Sequence, residues 1–435
     1  MKQTESSKTI GIGLLGLGTV GTGVVKILKS QGRAIEKKTG IRLALRRVCV
    51  KSLSKKRGVA LDRRLLTTDP SDLIRDPSID ILVELIGGIH PAKEIIHRAF
   101  LNGKHVVTAN KALLAEEGGS IFREAARLGR KLGIEASVCG GIPIIQSIRE
   151  GLASNSISQF LGIVNGTCNF ILSAMSQGNL EFREALRAAE RSGYAEKNPR
   201  LDIEGVDSAH KLAILARLAF RTEVPLKAIF VEGISKLSKV DIQYASELGY
   251  VIKLLAIAKR HGRAVELRVH PTMLPLDHVL AGVRGVYNAV FLHADQAGDL
   301  LFYGKGAGEM PTASAVVSDI IDIAKRATGQ ADLKVRKSSP PDALPVRPMD
   351  EVVSNYYLRF QVEDKPGVLG RIAQTLGKNH ISILSVHQKE SHDSRSVPVI
   401  ILTYEASEKN LRRALRAIDS KGGVRQKTVV LRVEK

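Results

Sequence analysis

The segment 193–216, GYAEKNPRLDIEGVDSAHKLAILA, gathers four side chains that could act together on a small polar molecule. Glu196, Asp202 and Asp207 carry carboxylates, and Lys211 carries an ammonium group. The segment changes from loop sequence to a helical pattern, so Asp207 and Lys211, four residues apart, share one face of a helix. A lysine with a carboxylate partner at the edge of an apolar stripe can serve as a proton-transfer group. On spacing alone, an ordinary intrahelical ion pair remains the alternative.

A glycine-rich turn near the N-terminus predicts binding of a dinucleotide. The sequence GLGTVG, residues 16–21, follows an apolar strand at Thr9–Leu15 and opens a helix, which is the context that the GxGxxG pattern requires. The first glycine permits a tight turn, the second lets the backbone approach a pyrophosphate, and the third allows close packing of helix and strand. The helix N-terminus offers unpaired N–H groups to the phosphates. The cofactor-binding residues predicted in this turn are Gly16, Gly18, Thr19, Val20 and Gly21.

The end of the second predicted strand, Ile41–Val50, indicates which dinucleotide is bound. An NAD site usually has an acidic residue here for the ribose hydroxyls, whereas an NADP site has a cation for the 2′-phosphate. Lys51 follows the strand, and no Asp or Glu occurs between it and Arg57. This favours NADP, with NAD as the open alternative. The competing interpretation is a solvated basic loop on a generally basic protein.

Three further residues follow predicted strands on loops where a cofactor could bind. Gly87 belongs to the loop ELIGG at 84–88, and Lys111 follows the strand at Lys104–Thr108. Both lie at the carboxyl edge of the predicted sheet, where cofactors bind in this fold. Gly308 ends the loop GKGAG at 304–308, before a helix of small residues. Taken alone, these glycines could belong to plain turns and Lys111 could be a solvated side chain.

Composition argues against several classes of protein. The 435 residues contain no apolar run long enough for a membrane helix, and the polar N-terminus does not resemble a signal peptide. Cys49, Cys139 and Cys168 lie far apart without metal-ligand spacing, so we expect reduced thiols and a cytoplasmic location. The net charge of +21 invites a nucleic-acid interpretation, but basic residues are spread throughout, tryptophan is absent and aromatic residues make up only 4%. A basic surface that attracts small anions is the better interpretation.

The order of predicted elements indicates an α/β protein with three domains. Residues 1–140 alternate strands with helices, which predicts a Rossmann dinucleotide-binding domain. Residues 141–329 mix helical and strand patterns and predict an α+β domain; its role as the catalytic and dimerisation domain is what the resemblance to a known family implies. Residues 330–354 form the expected linker, because residues 330–349 contain four of the fifteen prolines and no apolar period. Residues 355–435 spell βαββαβ, a ferredoxin-like unit. Beyond the elements already named, the patterns predict helices at 92–102, 112–132, 143–154, 182–192 and 207–220 and strands at 159–164, 263–271 and 289–293.

Taken together, these segments closely resemble homoserine dehydrogenases of the monofunctional type that carry a C-terminal ACT domain. The resemblance runs in family order from about residue 10 to 326, and the ACT resemblance rests on VEDKPGVL at 362–369 and the βαββαβ order. The matching segments are GLGTVG (16–21), ELIGG (84–88), GKHVVTANKALLA (103–115), EASVCGGIPII (135–145), IVNGTCNFIL (163–172), GYAE…DIEGVDSAHKLAILA (193–216) and GKGAGEMPTASAVVSDI (304–320).

The resemblance implies an NAD(P)-dependent interconversion of L-aspartate 4-semialdehyde and L-homoserine, on the route to threonine and methionine. It implies that Lys211 is the general acid and base, that Glu196 binds the substrate ammonium, and that Asp202 and Asp207 complete the substrate pocket. It also implies that Lys111 contacts cofactor and substrate and that Gly308 lies beside the nicotinamide.

The resemblance further implies a monovalent cation, sodium in most members, held largely by main-chain oxygens. The matching positions are Glu135, Val138, Gly140 and Ile142, and Cys139 departs from the small non-thiol residue more common there. A homodimer or homotetramer is implied, with threonine as an effector of the ACT domain. The linker is long enough for this domain to act by changing assembly rather than by touching the active site.

Two rival functions remain open from the sequence. One is another NADP-linked semialdehyde or amino-acid dehydrogenase with the same first domain, although the segment 193–216 argues against it. The other is a ligand-sensing regulator whose Rossmann and ACT domains only bind. The intact set of Glu196, Asp207 and Lys211 argues for an enzyme.

The residue after the second strand gives a first test. Lys51→Ala should reduce the preference for NADP over NAD, because it removes the cation expected at the 2′-phosphate. Initial rates with both cofactors, expressed as kcat/KM for variant and wild type, measure the effect. An unchanged ratio would remove Lys51 from the cofactor site.

Overall fold

The computed structural model describes residues 8–329, 344–388, 396–420 and 423–434. Of the predicted linker at 330–354, residues 330–343 lie outside them. By packing, the chain forms two compact units, which comprise the described parts of residues 1–157, 210–226 and 288–343 and of residues 158–209, 227–287 and 344–435. One of the boundaries between the units falls inside the helix Val206–Phe220, between Ala209 and His210.

Strands and helices are numbered in chain order. The strands are β1 Lys8–Leu15, β2 Ile41–Cys49, β3 Leu66–Thr67, β4 Ile81–Glu84, β5 His105–Thr108, β6 Leu132–Gly133, β7 Ile157–Ile163, β8 Phe230–Val231, β9 Tyr250–His261, β10 Ala264–Pro275, β11 Tyr287–Ala294, β12 Gly298–Lys305, β13 Val353–Val362, β14 Ile383–Gln388, β15 Val397–Thr403, β16 Ala406–Ser407 and β17 Val429–Val433. The helices are α1 Thr19–Thr39, α2 Pro70–Arg75, α3 Ala92–Leu101, α4 Lys111–Arg127, α5 Ile144–Gln146, α6 Gly166–Gly178, α7 Phe182–Arg191, α8 Arg200–Ile203, α9 Val206–Phe220, α10 Lys239–Glu247, α11 Glu309–Ala327, α12 Val368–Lys378 and α13 Glu408–Asp419.

The first unit contains a six-stranded sheet in the order β3-β2-β1-β4-β5-β6. Its pairs are parallel, and the order is that of a Rossmann fold, so the predicted fold class is confirmed. Helix α11, from the later part of the chain, packs against α1 in this unit. A Cβ on Gly23 of α1 would lie 2.8 Å from the Cβ of Ala313 and from the carbonyl of Glu309. This glycine therefore lets the two helices approach closely.

Two helix predictions are wrong in their extent. The predicted helix at 112–132 ends at Arg127, because Gly129 adopts a left-handed φ of 65° and the chain then enters β6. The predicted helix at 143–154 is instead the short α5 followed by a π-helical turn at Ser147–Gly151. Helix α6 and strand β9 were not predicted, since neither has a clear period that separates helix from strand.

In the second unit, one sheet joins the C-terminal domain to strands of the region 141–329, which is called the catalytic segment from here on. Its strands run in the order β7-β9-β10-β17-β13-β15-β14, and the last four, β17-β13-β15-β14, form the ferredoxin-like sheet. Strand β17 pairs in parallel with β10, with Thr272 opposite Arg432 and Met273 opposite Val433. The ACT domain therefore contacts the catalytic segment directly, through this pair of strands.

Buried charges accompany this junction. Arg268 on β10 is 1% exposed and donates to Glu266 and to Glu434, which follows β17. Burial alone would lower the pKa of Arg268, but the charges of Glu434 and Glu266 raise it. A second connection joins Arg359 of β13 to Asp241 of α10 through two hydrogen bonds of 2.7 and 3.0 Å. Glu434 and Asp241, the carboxylates of these two connections, are both buried, so each arginine depends on its carboxylate partner.

Glu434→Ala tests this junction. The change leaves the guanidinium of Arg268 buried without one of its two carboxylates, so we expect the free energy of unfolding to fall by about 3–5 kcal/mol. Urea denaturation of the full chain measures it. Asp299→Ala, which removes an exposed pair with His293, is the matched control and should change little. Equal stability of the two variants would show that Arg268 does not need Glu434.

Candidate active site

The glycine turn has the shape that a pyrophosphate requires. Gly16 has a φ of 101°, and a Cβ there would lie 2.8 Å from the carbonyl of Leu85. A Cβ on Gly21 would lie 2.3 Å from the carbonyl of Gly16. A Cβ on Gly18 would meet nothing within 4 Å, so the space beside this residue is open. Helix α1 begins at Thr19 with no acidic residue in its first turn, which leaves its N-terminus suited to an anion.

The strand that precedes Lys51 contacts this turn. The N–H of Gly16 donates to the carbonyl of Cys49, the last residue of β2, over 3.0 Å. Lys51 is two residues further on and is exposed. The position agrees with a side chain that reaches a ligand held at the glycine turn.

A buried carboxylate connects the next two loops at the carboxyl edge of the sheet. Glu84, which is 0% exposed, accepts from the N–H of Ile86 and of Gly87 and from the hydroxyl of Thr108 over 2.6 Å. A Cβ on Gly87 would meet nothing within 4 Å, as at Gly18. Glu84 thus fixes an open glycine loop against the end of β5.

Lys111 is oriented by the residue before it. Asn110 caps α4 by accepting from the N–H of Leu113, and its amide donates to the carbonyl of Gly88 over 2.6 Å. Lys111 is the first residue of α4 and is half-buried. The Gly87–Gly88 loop and Lys111 therefore have a fixed relation within the first unit.

The segment 135–142 is a largely buried turn beside the glycine loop at 304–308. Glu135 is 4% exposed, and its carboxylate accepts from the N–H groups of Ile145 and Gln146 over 2.9 and 2.8 Å. A Cβ on Gly140 would lie 2.6 Å from the carbonyl of Gly306, so this turn packs closely on the loop that ends at Gly308. Desolvation raises the pKa of Glu135. Val138 and Ile142 are also buried.

A second acid, half-buried, contacts this turn. Asp319 of α11 accepts from the N–H of Glu135 over 2.8 Å. Burial, with the nearby charge of Glu135, raises the pKa of Asp319 to about 8. Asp319 is therefore largely protonated at neutral pH and ionises as the pH rises past 8, which limits the negative charge beside Glu135.

An asparagine that the sequence reasoning missed joins two predicted substrate residues. The side-chain amide of Asn165 donates to Asp202 over 2.7 Å and to Asp207 over 2.9 Å. Its oxygen caps α6 by accepting from the N–H of Cys168 over 2.8 Å. Asn165 is 5% exposed and Asp207 is 4% exposed. The amide thus brings two carboxylates into one buried cluster.

Asp207 and Lys211 occupy one helix, as predicted. Both belong to α9, and four residues span about 6 Å along a helix axis. Asp207 lies in the first turn, where the helix dipole stabilises a carboxylate. Lys211 is half-buried.

Glu196 lies on an exposed loop between α7 and α8. The loop is held to α6, because the hydroxyl of Thr167 donates to the carbonyl of Tyr194 over 2.7 Å and the ring of Tyr194 packs on Phe170 at 5.0 Å. The role of Glu196 toward substrate stays a prediction.

Asn165 and Glu84 carried signals that could have been recognised. Asn165 precedes a helix and follows a buried strand, which is the pattern of an N-cap at a strand end. Glu84 is an acid that ends an apolar strand. Neither signal predicts the partner of the side chain, because the distant partners are 24 to 42 residues away and come close only once the fold has formed.

Comparisons with known proteins follow this geometry. Residues 143–321 match the family model described as homoserine dehydrogenase, and residues 16–135 match the model described as homoserine dehydrogenase, NAD binding domain. Residues 356–423 match the ACT domain model. Homoserine dehydrogenase from Neisseria gonorrhoeae is 44% identical over 431 residues, which cover 98% of this chain and 99% of that protein. The chain belongs to the homoserine dehydrogenase family. It is accordingly an NAD(P)-dependent oxidoreductase that acts on a CH–OH group.

Other homoserine dehydrogenases and solved structures agree. The protein from Pseudomonas aeruginosa is 42% identical, covering 98% of this chain and 99% of its own. A crystal structure of a homoserine dehydrogenase from Thiobacillus denitrificans superimposes with a TM-score of 0.92 at 44% identity, covering 98% of this chain and 99% of that one. A hyperthermophilic archaeal homoserine dehydrogenase solved in complex with NADPH has a TM-score of 0.63 at 25% identity, covering 73% of this chain and 98% of that one. A nucleotide cofactor is thus supported.

No helix in the described ranges is long and apolar enough to cross a membrane. The same ranges contain no cluster of three or more histidine, cysteine, aspartate or glutamate side chains able to hold a metal ion. A cation bound mainly through carbonyl oxygens would not need such a cluster of side chains.

Asn165→Asp tests the two-carboxylate cluster. The variant keeps the helix cap but loses both amide hydrogen bonds and adds a third carboxylate, so kcat/KM for homoserine should fall roughly 10- to 100-fold. Thermal unfolding run in parallel separates this effect from misfolding. Full activity in a folded variant would show that the cluster is not part of the substrate site.

Proposed function

We propose that the chain interconverts L-homoserine and L-aspartate 4-semialdehyde with NADP as the preferred cofactor. The observation that carries the proposal is the buried cluster of Asn165, Asp202 and Asp207 at the start of α9, one helical turn before Lys211. A cluster of acids beside a lysine suits a substrate that bears an ammonium group and a carbon that is oxidised and reduced. The family comparisons agree with this substrate class.

Lys211 holds and moves the proton. In the direction of reduction, the ammonium of Lys211 donates a proton to the aldehyde oxygen as the C=O double bond becomes a C–O single bond. In the direction of oxidation, the neutral amine accepts the proton from the hydroxyl. The reduced dinucleotide, when bound, supplies the hydride. Asp207, one turn earlier on the same helix, stabilises the charged form of Lys211.

The acids bind and orient the substrate. Glu196 and Asp202 accept from its ammonium group, and Asn165 fixes the direction in which Asp202 faces. The amide of Asn165 gives one oxygen of each aspartate a hydrogen-bond donor, so both carboxyl groups are held in fixed positions. Binding energy at this end of the substrate serves to place the reacting carbon.

The first unit binds the cofactor. The open spaces beside Gly18 and Gly87 accommodate the phosphates and the adjoining sugar, and the N-terminus of α1 attracts them. Lys51 contacts the 2′-phosphate of NADP, and NAD lacks this contact. Lys111 and Gly308 contact the nicotinamide half.

A monovalent cation, most simply sodium, fits the segment 135–142. Its donors are oxygens of Glu135, Val138, Gly140 and Ile142, and carbonyl oxygens are suited to replace the hydration shell of an alkali ion. The successive left-handed residues Cys139 and Gly140, with φ of 54° and 46°, turn the backbone so that its carbonyls do not all point one way. The cation would hold the turn against the Gly306 loop.

The remaining proposals concern organisation. Residues 1–140, 141–329, 330–354 and 355–435 would serve as cofactor domain, catalytic domain, linker and ACT domain of a cytoplasmic homodimer or homotetramer. Threonine is the proposed effector, bound near the loop Asp364–Val368. There Gly367, with a φ of 85°, precedes α12, whose first N–H groups can meet a carboxylate. Initial rates and sedimentation with threonine added test this role.

Lys211→Ala should lower kcat by roughly 10²- to 10⁴-fold, the usual contribution of a positioned acid or base, while NADP affinity stays near that of wild type. Glu196→Gln is the companion variant and should mainly raise KM for homoserine, because it weakens a contact already present in the ground state. Reduced-cofactor absorbance follows the reaction. Near-normal turnover of Lys211→Ala would mean that another group, such as Lys111, moves the proton.

A further inference from the structure

A groove in the second unit lies where the ACT domain meets the catalytic segment, and none of the predicted catalytic or substrate-binding residues belongs to its lining. Its volume is about 500 Å³, which is within the range of small-molecule sites. Residues 230–237 of the catalytic segment line one side, and α13 and β17 with the preceding residues line the other. The groove is not the loop Asp364–Val368, which contributes no residue to its lining.

The apolar part of this groove suits a branched aliphatic group. Val231, Leu237, Leu411 and Leu415 are among its lining residues, together with the ring of Phe230. Charged side chains are also part of the lining. Arg432 lies over the Phe230 ring with its guanidinium carbon 4.9 Å from the ring centroid.

The charges of the groove are unequal. Four cationic side chains line it, namely Lys236, Arg412, Lys427 and Arg432, against two carboxylates, Glu232 and Glu408. Glu408 accepts from Arg432 at both oxygens, over 2.6 and 3.1 Å, and is 3% exposed. The ion pairs that the described residues show leave Lys236 and Lys427 as exposed cations at the rim. An excess of positive charge above an apolar wall favours an anion with an apolar body.

Glu232 adds a second polar feature. One of its oxygens accepts from Arg432 over 3.1 Å, which joins the catalytic segment to β17, and its side chain is 37% exposed. The other oxygen can accept from a ligand ammonium group. A carboxylate ligand held by Lys236 and Lys427 would therefore contact both sides of the junction at once.

We propose that this groove is a binding site for a small carboxylate with a branched aliphatic chain, and that the ligand joins the ACT domain to the catalytic segment. The carboxylate is held by Lys236 and Lys427, and the chain packs on the leucines of α13. An α-amino acid and the corresponding 2-oxo acid share this chemistry, and Glu232 distinguishes them. The site would regulate the proposed reaction, so this inference rests on the proposed function.

The test uses three probes of similar shape on the full chain. Calorimetric titration with L-leucine and with 4-methyl-2-oxopentanoate should show saturable binding, whereas L-leucinamide, which lacks the carboxylate, should bind weakly or not at all. Lys236→Ala/Lys427→Ala should raise Kd for both carboxylates roughly tenfold. The control Lys409→Ala, an exposed lysine of α13 outside the lining, should leave Kd unchanged.

Glu232→Gln separates the two ligand classes. It should weaken L-leucine and leave 4-methyl-2-oxopentanoate unaffected if the ammonium contact forms; equal effects on both would restrict the site to the carboxylate contact and remove Glu232 from the proposal. No binding of either carboxylate up to about 10 mM, or binding that the double lysine variant leaves unchanged, overturns the proposal. Homoserine oxidation by the same preparations, measured without probe, should equal wild type. Its loss in wild type itself would instead contradict the proposed function.

Discussion

The catalytic segment depends on one side-chain amide, that of Asn165, which holds two carboxyl groups close together. Asp202 and Asp207 both point toward the amide of Asn165, which donates one hydrogen to each. The two hydrogen bonds fix the positions of both carboxyl groups. The cap that Asn165 makes with α6 and the position of Asp207 in the first turn of α9 each fix one side of this arrangement. Asn165 thus connects three helices, α6, α8 and α9.

A single buried side chain also fixes the carboxyl edge of the six-stranded sheet. Glu84 is a buried carboxylate that accepts hydrogen bonds from its own loop and from the end of the neighbouring strand. Parallel strands bring their carboxyl ends to one edge, and the hydrogen bonds of Glu84 and Asn110 turn that general property into a defined arrangement of Gly87 and Lys111. Backbone that must approach a ligand is left open, while backbone that must be fixed is bonded.

The sequence predicted those parts of the molecule whose cause is local. The glycine turn, the Rossmann order and the βαββαβ order depend on short-range periodicity and on turns, and they were found. Asp207 and Lys211 shared a helix face because a helix fixes that spacing. Asn165, Asp319 and Arg268 were missed because their importance comes from partners 37 to 184 residues distant. The docking of β17 on β10 was missed for the same reason, since strand pairing across domains leaves no pattern in either strand.

The parallel pairing of β10 with β17 also has a consequence during synthesis of the chain. Thr272 and its partner Arg432 are 160 residues apart in sequence. A ribosome that adds roughly 5–20 residues per second needs on the order of 10–30 s to reach the second strand after the first. Throughout that interval the edge of β10 at Thr272 and Met273 lacks its partner strand, and Arg268 lacks Glu434. The sheet of the second unit can close only once β17 has been synthesised, so until then this edge remains open to association with another strand.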